Sequence, residues 1–242
     1  MIWIIGGTSD ANKIADLLLN KGHQLLLSTT TSYGTHLAQK ENIHIIQQQL
    51  NCDDMQKLIS NYRIKTVIDA SHPFAAEVSE NAIKASNEEG TLYLRYERAP
   101  LKFDHVNYYH TYNEVIQSLK ETHGNIMLTI GSKNVPLFNE LSQRIVARVL
   151  PVIKSIEQCE QAGLKAHQVL AMKGLVNMDT NMALFKEYNI QHLVSKDSGE
   201  AGGLKEKVEA AQRLGIQVHL LKRPSVTYPN VFHCYPDILA QI

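Results

Sequence analysis

Three cysteines, one tryptophan and no excess of either charge set the first limits on this 242-residue chain. Cys52, Cys159 and Cys234 are far apart and form no CxxC pair. That argues against a disulfide frame or a cysteine zinc site, and for small buried apolar residues in a reducing compartment. Lysine plus arginine equals aspartate plus glutamate at 24 each, so no overall field draws the protein to nucleic acid or to an anionic membrane. Long apolar runs are missing too. The opening Met1 to Ile5 stops at Gly6 and Gly7, too short and too uncharged for a leader, and no later run approaches a membrane span. The expectation is a cytoplasmic protein without membrane or nucleic-acid partners. Its oligomeric state is not written in the sequence.

What is present is a layout repeated at an offset of about 125 residues, the kind of self-similarity to be sought before any motif. IWIIGGTSDANKIADLL is echoed by NIMLTIGSKNVPLFNEL. TVIDASHPFAAEVSENAIKASNEEGTLYLRYERAP is echoed by HLVSKDSGEAGGLKEKVEAAQRLGIQVHLLKRPSV, with Gly90 against Gly215 and Arg98 against Arg223. The closing pieces VNYYHTYNEVIQSL and VFHCYPDILAQI both read as a strand and then a short helix. The echo is of layout more than identity, as for a duplication or for two halves converging on one grammar.

Short β-branched or apolar runs alternate with helical spacing throughout. Strands are expected at 2–5, 24–28, 43–47, 66–70, 92–96 and 106–110, then at 126–130, 145–149, 169–171, 192–195, 217–221 and 231–234. Helices are expected at 11–19, 33–39, 53–61 and 74–87, then at 136–141, 155–162, 181–188 and 203–214. This alternation builds parallel sheets covered on both faces. The polar, turn-forming KETHGN sets the expected boundary, giving domains 1–118 and 119–242. His105 and His110 sit five apart in an expected strand, on opposite faces, so no metal site is proposed.

On open parallel sheets ligands sit beyond the carboxyl ends of the strands. GGTSDAN, with Gly6, Gly7 and Thr8, joins a strand to a helix, where free amides and the helix dipole favour a phosphate. It lacks the GxGxxG spacing, and a plain capped turn has the same composition. After the second strand come Ser28, Thr29 and Thr30, followed by more hydroxyls and no acid. That favours NADP over NAD, although such clusters also occur in ordinary loops. DASHPFA sets His72, Pro73 and Phe74 at the same edge. A lone histidine there is otherwise a structural residue.

In the second half, SKDSGEAGG brings Lys196, Asp197, Ser198, Gly199, Gly202 and Gly203 to the start of a helix. LTIGSKN adds Gly131, Ser132 and Lys133, and AMKGLVN adds Lys173. Cations gathered at one edge suit a ligand with several carboxylates, and three glycines exceed what a plain cap needs.

GGTSDAN, DASHPFA followed by YLRYERAP, ARVLP at Ala147 to Pro151, and SKDSGEAGGLKEKVEAAQRLGIQVHLLKRP together resemble the precorrin-6A reductases of cobalamin biosynthesis, the cobalt-precorrin-6A branch included, over essentially the whole chain. The resemblance implies an α/β protein of two Rossmann-like domains with mainly parallel sheets and a ligand cleft between them. It also implies NADPH-dependent reduction of one ring double bond of a tetrapyrrole, by hydride transfer and protonation of the adjacent carbon. By position, Gly6, Gly7 and Thr8 would hold the pyrophosphate, Ser28 to Thr30 the ribose, and His72 to Phe74 the nicotinamide region. Gly131, Ser132, Lys133, Lys173, Lys196, Gly199, Gly202 and Gly203 would face the macrocycle. The proton would come from Ser198, with Asp197 and Glu200 as other candidates, since Arg148 and Val149 are followed by Leu150 and Pro151. Two other readings stand beside this one: a nonenzymatic two-domain nucleotide sensor, and a tetrapyrrole-modifying enzyme without nicotinamide.

Overall fold

A computed structural model describes residues 1–242 apart from 174, 175, 200 and 201 and the side chains of 32 and 33. The first half runs β1 (Ile2–Ile5), α1 (Ser9–Leu19), β2 (Leu25–Thr29), α2 (Ser32–Ala38), β3 (Ile43–Gln47), α3 (Cys52–Asn61), β4 (Thr66–Asp69), α4 (Ala76–Glu88) and β5 (Leu92–Tyr96). There follow β6 (Asn107–Tyr109), α5 (Tyr112–Lys120), β7 (Asn125–Thr129), a tight 3-10 run Ser132–Arg144, β8 (Ile145–Val149), α6 (Ile153–Gln161), and a short 3-10 turn Ala166–Gln168. The chain then continues through β9 (Val169–Ala171), α7 (Met178–Glu187), β10 (Ile190–Lys196), α8 (Leu204–Arg213), β11 (Gln217–Leu221), β12 (Val231–Phe232) and α9 (Tyr235–Leu239).

Two parallel six-stranded sheets result, in the spatial orders β12-β5-β4-β1-β2-β3 and β6-β11-β10-β7-β8-β9. In each, the strand order reverses beside a central strand, β1 or β7, which creates the crevice where ligands bind on such sheets. Alternation along β1 explains its burial on both faces. Ile2 and Ile4 join Ile14, Leu18, Leu25 and Leu27, while Trp3 and Ile5 join Met55, Leu58, Ile59 and Ala82. In the second sheet, Met127, Val146, Leu193, Val218 and Leu220 pack with Phe185, Leu204 and Val208.

The closing strands are exchanged. β6 follows β5 in the chain but pairs with β11, and β12 follows β11 but pairs with β5. The compact units are therefore 1–99 with 224–242, and 100–223, not the contiguous 1–118 and 119–242 that the repeat suggests. The two closing pieces have the same strand-then-helix pattern, and a pattern of burial fixes which face is inside, not which sheet is joined. The KETHGN region is likewise not a linker between the units: α5 ends on its first residue and β7 begins on its last. The expected helix at 136–141 is part of the 3-10 run, which kinks at Phe138, and Pro136 denies an α-helix there a backbone donor. His105 and His110 flank β6 rather than lie in it. Among the described residues no helix is long and apolar enough to cross a membrane, and no cluster of ligating side chains could hold a metal ion.

Candidate functional site

In the first unit, Gly6 donates its amide to the Ser28 carbonyl at 2.8 Å. A Cβ at Gly6 would stand 2.9 Å from Leu27 Cδ2 and 3.0 Å from that carbonyl oxygen, so only glycine lets the loop cross β2 this closely. Gly7 has φ +96 and open space where a side chain would project. Thr8 caps α1: its Oγ1 accepts from the Ala11 amide at 3.1 Å and donates to the Ala70 carbonyl at 2.7 Å, tying the first loop to the third. The amides of the next residues have no acceptor within the helix and carry its positive dipole end. Asp10, buried in that first turn, is engaged by Arg98 and by the Tyr235 hydroxyl from α9.

These loops enclose a cavity of about 160 Å³ lined by Gly6, Gly7, Ser28, Thr29, Thr30, Ser71 and His72 on its polar side and by Leu50, Met55 and Val78 on its apolar side. Among the described residues no acidic side chain lines it. Ser28 and Thr29 lie in the end of β2 rather than after it, and most hydroxyls of this stretch are committed elsewhere. Ser28 Oγ accepts from Trp3 Nε1 at 2.9 Å, and Thr29 meets Thr35 at 2.8 Å. Thr31 caps α2 through the Gly34 amide at 3.0 Å, so Thr30 is the exposed hydroxyl nearest the cavity. His72 Nδ1 accepts from the Phe74 amide at 3.2 Å, which assigns the neutral ring's proton to Nε2. Of the residues expected to bind the nucleotide, Gly6, Gly7, Ser28, Thr29, Thr30 and His72 meet around this one cavity. Thr8 stands behind it as the cap, and Pro73 and Phe74 are outside the lining.

Beneath Ser71 lies a buried polar network. Asp69 Oδ1 accepts from the Ser71 amide and from Arg95 Nη1, both at 2.9 Å. Its Oδ2 accepts from Ser79 at 2.5 Å and Tyr93 at 2.7 Å. Arg95 reaches Ser71 Oγ at 3.0 Å and gives its other donors to Glu97. Burial, reinforced by Asp69, drives the Tyr93 hydroxyl's pKa far above its ordinary value.

The second unit has different chemistry at the matching edge. Gly131 turns at φ +83 with open space beside it, and Ser132 donates to Ser155 at 3.1 Å. Lys133 and Lys173 are exposed. Burial, with Lys133 nearby, pulls Lys196 down to about 8. Ser198 is buried, and its amide bonds the Lys196 carbonyl at 2.8 Å. A Cβ on Gly202 would lie 2.7 Å from that of Ser198, so glycine there lets the strand-to-helix loop fold over the serine. Gly199 and Gly203 take positive φ, and Gly203 opens α8. Asp197 faces Arg223 at 3.4 Å. Glu200, with Gly174 and Leu175 of AMKGLVN, lies outside the described residues.

Sequence reasoning missed two cations here. Among the described residues Arg148 on β8 bonds Asn181 Oδ1 alone, at 2.8 Å, and burial lowers it to about 10. Lys207, in the first turns of α8, makes one long contact to Ser195 Oγ at 3.4 Å. Burial and the Arg148 charge push it down to about 7, against a smaller opposing pull from Glu206. Neither forms an ion pair with a carboxylate among the described residues. Arg148 stood in the quoted ARVLP, but nothing in the letters said that it turns inward.

The whole chain, residues 1–242, matches the family model described as precorrin-6x reductase CbiJ/CobK. It is 35% identical to a cobalt-precorrin-6A reductase of Priestia megaterium, over 99% of this chain and 96% of that protein. It is equally similar, at 35%, to one of Methanococcus maripaludis, over 98% and 97%. A solved CobK precorrin-6A reductase superposes with a TM-score of 0.83 at 22% identity, covering 99% of this chain and 95% of that one.

Proposed function

Because the chain belongs to the precorrin-6x reductase family, we propose that it reduces one ring double bond of precorrin-6A or cobalt-precorrin-6A with NADPH. The first unit would hold the nucleotide and the second the macrocycle. The observation that carries this reading is the contrast between the two crests. One is a cavity of glycines, amides and hydroxyls with no acid among the described residues that line it. The other has buried cations that form no ion pair with a carboxylate among the described residues, Glu206 acting on Lys207 only from a distance.

The first cavity suits a reduced pyridine nucleotide on three counts. Gly7 leaves open, left-handed backbone where a pyrophosphate would approach. The α1 amides supply donors. Thr30, with no acid near it, leaves room for a 2′-phosphate and favours NADPH over NADH. When bound, the nucleotide supplies the hydride. The protein's part is to orient, exclude water and move one proton. His72 would donate Nε2–H toward the nicotinamide end. Lys133, Lys173, Lys196, Arg148 and Lys207 would take the macrocycle's carboxylates. Ser198 would position or relay the proton for the ring carbon beside the one reduced, with Asp197 and Glu200 as the other candidates. Any cobalt belongs to the substrate.

The test is to mix the protein with precorrin-6A, with and without cobalt, and to follow nicotinamide absorbance for NADPH and NADH separately. Consumption of NADPH coupled to loss of the macrocycle's original spectrum is the expected result. A macrocycle converted without nicotinamide, or NADPH bound without turnover, would return the reading to one of the two alternatives.

A further inference from the structure

We infer that Asp69 and Arg95 are positioning residues that act through Ser71 to hold the His72 turn against the nucleotide cavity. The inference rests on the nucleotide reading of that cavity. Both side chains are fully buried, and a buried ion pair by itself contributes little net stability compared with apolar packing. Their bonds nevertheless leave neither group idle. Asp69 accepts four hydrogen bonds, and Arg95 donates to Asp69, Ser71 and Glu97 while the Tyr228 ring covers its guanidinium at 4.9 Å. Ser71 is the network's one member in the cavity wall, and it is held twice, by its amide to Asp69 and by its hydroxyl from Arg95. The next residue is His72, whose carbonyl accepts from the Ala75 amide at 2.8 Å to close the turn.

The second sheet acts as an internal control. Asp69 pairs with Ile5 at the end of β1 and with Arg95 on β5. The matching Ser195 pairs with Thr129 at the end of β7 and with Leu220 on β11. The same sheet therefore forms with neither carboxylate nor guanidinium on that rung, and the fold alone does not demand the network. Its distinguishing output is the placement of Ser71 and His72.

The test is calorimetric titration of NADPH into the parental protein, Ser71→Ala, Arg95→Lys and the double variant, with melting temperatures recorded alongside. Each single variant is expected to weaken NADPH about tenfold, the size of one charge-assisted hydrogen bond. The double variant should be no weaker than Arg95→Lys alone, because both act through one contact. If Arg95→Lys does not fold, Tyr93→Phe, which removes one bond to Asp69, is expected to weaken NADPH in the same direction. Variants that melt lower yet bind NADPH as the parent does, or losses that simply add, overturn the inference while leaving the nucleotide reading intact. A parental protein that binds no NADPH overturns both.

Discussion

At the same rung of two like sheets, one unit places Asp69 and the other Ser195, and their surroundings differ accordingly. Around Asp69 the buried charges are compensated within the protein: Arg95 lies between two carboxylates. Around Ser195, Lys207 and Arg148 are buried against neutral oxygens, and Lys207 stands near the positive end of α8, where the dipole disfavours a cation. In the first unit the buried charges are paired within the protein. In the second, Arg148 and Lys207 form no ion pair among the described residues, an arrangement that would suit an anionic ligand. On the proposed function, one scaffold would support two kinds of recognition, because the strands are shared and the loop and rung residues are not.

Removing a charge should act oppositely in the two units, and this is the sharpest way to break the comparison. Arg95→Met leaves Asp69 buried against one cation fewer and should cost about 3–5 kcal/mol of stability in denaturant unfolding. A loss below 1 kcal/mol would mean that the first network is not compensated as described. Ser198→Ala should leave NADPH affinity unchanged and lower kcat by about a hundredfold in single-turnover assays. Turnover at the parental rate would move the proton to Asp197, Glu200 or solvent. Lys207→Met should raise the macrocycle's KM by a factor equivalent to about 2 kcal/mol, with the melting temperature unchanged or higher, since a buried amine with no ion pair among the described residues is removed. A lowered melting temperature with normal KM would make Lys207 a structural residue.

The smallest effect is one of pH. His219 is fully buried between His192 Nδ1 at 3.2 Å and the Tyr109 hydroxyl at 3.1 Å. Burial and His192 push it down to about 4. Between that value and the roughly 6.5 of an unfolded histidine, the unfolded chain binds the extra proton. Stability should therefore fall on the order of 1–2 kcal/mol from pH 7 to pH 5. His219→Gln should flatten that slope in thermal melts.

Strand positions were legible because β-branched apolar runs between turn residues leave few alternatives, and the glycines of GGTSDAN and SKDSGEAGG marked both crests. The exchange of β6 and β12 was not legible, since either strand satisfies either sheet edge. Nor were Asp69 with Arg95, or Arg148 with Lys207. A buried charge reads like a surface one until long-range packing turns it inward, and the partners that decide its role lie 26 residues away for Asp69 and 33 for Arg148. The hydroxyl row at the end of β2 showed the converse: Ser28 and Thr29 were visible, but not their engagement by Trp3 and Thr35.

The division of labour between the units is tested most directly by paired titrations on Gly7→Val, which puts a branched side chain at φ +96 on the floor of the first cavity. NADPH binding should be lost while precorrin-6A binds with parental affinity. NADPH binding that survives the substitution, or macrocycle binding lost together with it, would contradict the assignment of the two ligands to separate crests.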